Sequence, residues 1–127
     1  RKIYEAKESN RGSVEFWGSG KPYREFMYAD DLVSAVRLLI DKELSYSPIN
    51  IGPGEDTPIK EVIEIIKEIS GFKGSVIWDK TKPDGAMHKL LDSSIIKSHG
   101  WSISKPLYSS LLETYNFYAD NKSMLRL

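Results

Sequence analysis

Apolar residues recur at helical spacing in several stretches and gather into short extended runs between them. The clearest helical stripe is Ile59, Val62, Ile63, Ile66 and Ile69, with Thr57 placed to cap, Pro58 at the first helical position and Gly71 at the end. Leu32, Ala35, Val36, Leu39 and Ile40 repeat the pattern behind Asp30 and Asp31, either of which can cap. Val33 and Leu38 lie off that stripe, so a helix covered on more than one side is expected. Shorter helices are predicted over 2–8, stopped by the loop 10–13, and from the cap Asp92 through Ile96 toward Gly100. Pro106 opens a last helix with Leu107, Leu111, Thr114, Tyr115 and Tyr118 on one side. Strands are predicted at 14–17, 24–28, 48–51 and 76–78. Strands alternating with helices, without repeat or linker, predict one small mixed α/β domain over 1–127.

Composition narrows the chemistry. The chain has 127 residues, enough to bury about two-thirds of its unfolded surface. Eighteen basic residues match eighteen acidic ones, so no overall field favours nucleic acid or an anionic membrane, and any anion site must be local. There is no cysteine and only His88 and His99, which excludes thiolate chemistry and argues against a metal centre. No apolar run approaches the ~18 residues of a membrane span, and no signal-peptide pattern opens the chain. A soluble, cytoplasmic protein is expected. The opening RKIYEAKE is helix-like but has neither a cap nor an initiating Met, which suggests a fragment of a longer enzyme. Apolar faces built to meet a missing domain would then be exposed.

Several motifs read most simply as structure. Gly18-Ser19-Gly20 lacks the third glycine and helix start of a dinucleotide fingerprint, because Pro22 and Tyr23 follow; Gly52-Pro53-Gly54 fails in the same way. Both are turns. Tyr118 and Lys122 match the spacing of the dehydrogenase YxxxK pair, but Tyr118 continues an apolar stripe. Asp30-Asp31, Glu113 and the row Glu61, Glu64, Glu68 read as a cap and solvated faces. No catalytic residue, cofactor site or metal site is expected in the chain.

Arg24 stands apart, in an extended run between Tyr23 and Phe26 after a tight turn. A guanidinium there can hold a phosphate through two parallel hydrogen bonds, which a lysine cannot do with the same geometry. Trp17 offers a flat face for a base or sugar, or else packs in the core. The loop 80–89 places Lys82, Asp84, His88 and Lys89 about the turn Pro83-Asp84-Gly85. Asp84 can accept from sugar hydroxyls or a base and the lysines suit phosphate; a solvated hairpin tip is the alternative.

The run from Gly18 to Asp31, GSGKPYREFMYADD, resembles the GxGxxxR[DE]FxYVxD segment of extended short-chain dehydrogenases acting on nucleotide sugars. Together with INIGPGED and WDKTKPDGAMHKLLD, it is similar to the GDP-L-fucose synthase family along nearly the whole chain. The resemblance implies the C-terminal, substrate-binding part of an NADP-dependent epimerase/reductase that makes GDP-L-fucose from GDP-4-keto-6-deoxymannose. It implies that Lys2, Trp17, Arg24, Asp84 and Lys89 bind substrate, with Arg24 on the pyrophosphate. His88 departs from the family's Arg or Lys at its position. It further implies that the glycine-rich NADP site, the Ser-Tyr-Lys group and the proton-moving Cys and His belong to an upstream Rossmann domain, and that the whole enzyme is a homodimer. A UDP- or dTDP-sugar enzyme, or a stand-alone nucleotide-sugar-binding module without catalysis, remains the alternative.

Overall fold

A parallel pair of strands, β1 (Ser13–Trp17) and β4 (Ser75–Asp79), forms the frame. In the computed structural model, which describes residues 1–40, 42 and 48–125, their register sets Val14 beside Val76 and Phe16 beside Trp78. Side chains alternate across a strand, so these four point to one face, where the Phe16 and Trp78 rings lie 5.7 Å apart. Against that face lie α1 (Lys2–Glu8) and α3 (Ile59–Ser70), giving a core of Ile3, Ala6, Val14, Ile63 and Phe72. Burying a side chain such as Ile63 stabilises by about 1.5–3 kcal/mol. The last helix, α5 (Leu107–Asn121), lies along α3 and brings Tyr115 and Tyr118 onto Tyr4 of α1.

A second cluster joins Ala35 of α2 (Ala29–Ile40), Ile96 of α4 (Ser94–Ser98) and Trp101, with Met27, Ile49 and Ile51 at its margin. Its polar ties are as specific as its apolar ones. Asp31, 1% exposed, accepts the Ser104 amide at 2.8 Å, and the Trp101 indole donates to Ser34 Oγ at 2.9 Å. Segment 18–27 runs from the first cluster to the second. On the way it forms β2 (Tyr23–Arg24), antiparallel to β3 (Thr57–Pro58).

Several sequence expectations are corrected. Asp30 and Asp31 lie inside the first turn of α2, and Asp31 is drawn inward to hold Ser104 instead of capping. Thr57 is in β3 and Pro58 is the residue before the helix. The Ile59 and Lys60 amides are taken by the carbonyls of Pro22 and Gly20, which leaves no work for a side-chain cap. The extended run at 24–28 shortens to β2, and 48–51 forms no strand: Ile49 and Ile51 side chains join the second cluster while Asn50 donates to the Asp92 carbonyl. Ser93, not Asp92, holds the cap position of α4; Asp92 stands one residue earlier and its carboxylate accepts the Ser94 amide at 2.9 Å, which lowers its pKa. The stripe on α2 is mostly uncovered: Leu32, Val33, Val36 and Ile40 are exposed, Ile40 by 74%. Among the described residues no helix is long and apolar enough to cross a membrane.

Candidate functional site

Because β1 and β4 are parallel, they deliver the turn at Gly18 and the loop 80–91 to the same edge of the sheet. There the loop folds back over the turn. Both oxygens of Asp84 are held by Ser19, Oδ1 by its amide at 2.7 Å and Oδ2 by its hydroxyl at 2.6 Å. The hydroxyl bond, then the amide bond, keep the Asp84 carboxyl below its ordinary range, with Lys21 adding a smaller pull. Gly18 has φ +79°, and a Cβ there would collide with Asp84 Oδ1. Gly20, at φ +71°, lies so close to the Trp78 ring that a Cβ would stand 2.5 Å from it. These glycines are spent on close approach between protein segments. The chain leaves them into β2 rather than a helix, so they form no pyrophosphate cradle for NADP.

The loop then runs beside β2. The Tyr23 amide donates to the Met87 carbonyl at 2.7 Å, and Arg24 Nη1 donates to the Ala86 carbonyl at 2.8 Å and to its neighbour Tyr23. Tyr23 stacks on His88 with centroids 4.4 Å apart, and His88 Nδ1 is 2.9 Å from Asp56 Oδ2. Every residue from 80 to 92 is exposed, yet the loop is pinned along its length by hydrogen bonds. The solvated-tip alternative describes its exposure but not its anchoring.

Of the five expected binding residues, two share a cleft, while Trp17 and Asp84 lie outside its lining. Arg24 and Lys89 line one open cleft of about 610 Å³, with Glu25, Ile51 and Pro53 among the other walls. Asp84 sits in the turn of the same loop. Trp17, 71% exposed rather than packed in the core, carries the Lys82 ammonium 5.7 Å over its ring. A cationic edge, a free aromatic face and a fixed carboxylate suit an anionic ligand with a planar ring. Lys2 is placed differently: its ammonium donates to the Glu15 carbonyl at 3.0 Å and lies over the Phe16 ring, on β1.

Sequence reasoning passed over Ser19, Glu25 and Asp56. Ser19 was legible as the one polar side chain inside a glycine turn. Glu25 and Asp56 act on residues far along the chain, and nothing local marks them. Tyr118 and Lys122 both pack on Tyr4, which accounts for them structurally. Glu113 is more than a solvated face, since it accepts from Lys105 and lies beside the Tyr28 hydroxyl. Those partners lower its pKa and raise those of Lys105 and Tyr28. Among the described residues no group of three metal-ligating side chains comes together.

The model of the NAD dependent epimerase/dehydratase family matches residues 1–52. A rice protein (Oryza sativa subsp. japonica) described as "Probable GDP-L-fucose synthase 1" is 46% identical over 121 residues, 95% of this chain. The chain is a relative of the GDP-L-fucose synthases. It spans 37% of that relative's length. The fold carries the same relationship: a GDP-L-fucose synthetase from Naegleria fowleri, also solved bound to NADP, superposes with a TM-score of 0.91 at 25% identity. That match covers 99% of this chain and 39% of the other. A GDP-6-OMe-4-keto-L-xylo-heptose reductase from C. jejuni is 37% identical with a TM-score of 0.72, over 92% of this chain and 38% of its own. The small mixed α/β unit is thus that of extended short-chain dehydrogenases.

Proposed function

We propose that this chain is the substrate-binding part of an NADP-dependent epimerase/reductase acting on a GDP-sugar, of the GDP-L-fucose synthase kind. The observation that supports the reading is the clasp of Asp84 on Ser19, which together with the Arg24–Ala86 bond sets loop 80–91 against β2, where Arg24 and Lys89 line one cleft. Arg24 and Lys89 would take the pyrophosphate, and Trp17 and Asp84 the nucleoside or sugar. Lys2 assists from α1 by bonding the strand that presents Trp17. The relatives' names share GDP and differ in the sugar, which favours GDP over the UDP- or dTDP-sugar reading and over a module without catalysis.

In this reading residues 1–127 form a single C-terminal domain of a cytoplasmic, homodimeric enzyme. A Rossmann domain of the same protein holds NADP and the acid-base groups. NADPH supplies the hydride that reduces the sugar's keto carbon. The work of the present residues is to bind the nucleotide and so hold the sugar in register, converting part of the barrier into prepaid orientation.

Steady-state kinetics on the intact protein test this. Arg24→Ala is expected to raise the KM for the GDP-sugar about tenfold or more while leaving the KM for NADPH unchanged, since one charge-assisted contact to phosphate is worth roughly 1.5–3 kcal/mol. An equal effect on both KM values, or none on the GDP-sugar, would sink the reading.

A further inference from the structure

The cleft beneath Arg24 and Lys89 has two lips that come from distant parts of the chain. One is the turn 51–54, the other the end of the loop at 89–91. Neither belongs to a helix or strand, and the second is wholly exposed, so apolar burial does not hold them together. One side chain touches both. The carboxylate of Glu25 accepts the Leu91 amide on Oε2 at 2.8 Å and the Gly54 amide on Oε1 at 3.3 Å.

The surroundings are shaped to this carboxylate. A Cβ on Gly52 would stand 2.7 Å from Glu25 Oε1, so only glycine lets the side chain reach its place. The Ser93 hydroxyl, buried and without a hydrogen-bond partner among the described residues, borders the same point, 3.3 Å from that Cβ position. It offers a further donor to a carboxylate there. A carboxylate receiving two backbone amides is a strong, directional tie, because the acceptor is charged and each donor is fixed in its own segment.

We propose that Glu25 is a positioning residue for the nucleotide's phosphates: it ties the two lips and thereby sets Lys89 at the spacing from Arg24 that a diphosphate requires. The inference rests on the GDP-sugar reading and deepens it. Glu25 itself repels phosphate, so its value to binding is geometric. Without the tie, Lys89 moves with a lip anchored only from its other side, at Met87 and His88.

Calorimetric titration of the intact protein with GDP, GMP and guanosine tests it, with Glu25→Gln, Gly52→Ala and Arg24→Ala as variants. Glutamine can accept only one of the two amides, while alanine at 52 displaces the carboxylate without altering it. Both are expected to weaken GDP about tenfold and to leave guanosine within about twofold, so that the preference for the diphosphate collapses. General loosening would weaken all three ligands alike, and that result overturns the inference, as does an unchanged GDP affinity. If Glu25→Gln folds poorly, Gly52→Ala decides by the same ratio. The two layers separate cleanly. Loss of GDP binding in Arg24→Ala with Glu25→Gln unaffected removes the positioning role alone, whereas no GDP preference in the unaltered protein removes both.

Discussion

At the scale of residues, Asp84 shows how an exposed side chain can be a fixed point of the structure. Ser19 holds both its oxygens, and the carboxyl is kept below its ordinary range by the hydroxyl first and the amide second. A carboxyl with a lowered folded pKa contributes stability that is complete above its unfolded value and lost as pH falls through the folded one. The clasp is therefore expected to persist at neutral pH and through mild acid, and to open only below the usual carboxylate range. Amide exchange at Ser19, followed by NMR as pH is lowered, checks this; loss of protection already near pH 6 would contradict it. Gly20 gives a second test. Its φ of +71° and the Trp78 ring 2.5 Å from a would-be Cβ predict that Gly20→Ala destabilises by roughly 1–3 kcal/mol in a denaturant melt. Arg24 and Asp84 stood out in the sequence because charged residues beside glycine and proline turns are locally conspicuous. Glu25 did not, because its partners at 54 and 91 are brought to it by the fold alone.

At the scale of elements, legibility followed the cause of each element. The α3 helix was readable along its stripe and at its stop: a regular stripe faces one core, and Gly71 ends it in the left-handed conformation at φ 68°. Ile63→Ala is accordingly expected to cost about 2–4 kcal/mol, whereas Val36→Ala on the uncovered side of α2 should stay within about 0.5 kcal/mol; urea midpoints compare the two. A large loss at Val36 would mean that this face is covered. The same periodicity misjudged α2, since period marks which residues share a face and not whether anything lies on it. The run at 48–51 has strand-like composition, but its side chains serve the second cluster and its backbone joins no ladder. The start of α3 was misplaced by a residue because the groups that satisfy it, the carbonyls of Gly20 and Pro22, are nearly forty residues away.

At the scale of the whole molecule, two hydrophobic clusters are joined by the segment 18–27, and the candidate site lies along that join. Arg24 of β2 and its neighbour Glu25 set one wall of the cleft, the second cluster sets another through Met27 and Ile51, and the end of the polar loop closes it at 89–91. Placing the site there makes its geometry depend on both clusters while leaving Trp17, Lys82 and Lys89 open to a ligand. The apolar face of α2, expected from its pattern to be covered on more than one side, is exposed instead.

The central claim is that this edge binds a guanosine diphosphate group through Arg24. The most direct measurement is the melting temperature of the chain with GDP, UDP and dTDP, repeated with Arg24→Ala. At a hundredfold excess over its dissociation constant a ligand adds about 2.7 kcal/mol, a shift of several degrees for a domain of this size. The account predicts a shift with GDP that exceeds those with UDP and dTDP and that disappears in Arg24→Ala. A GDP shift that survives the loss of Arg24 would contradict it.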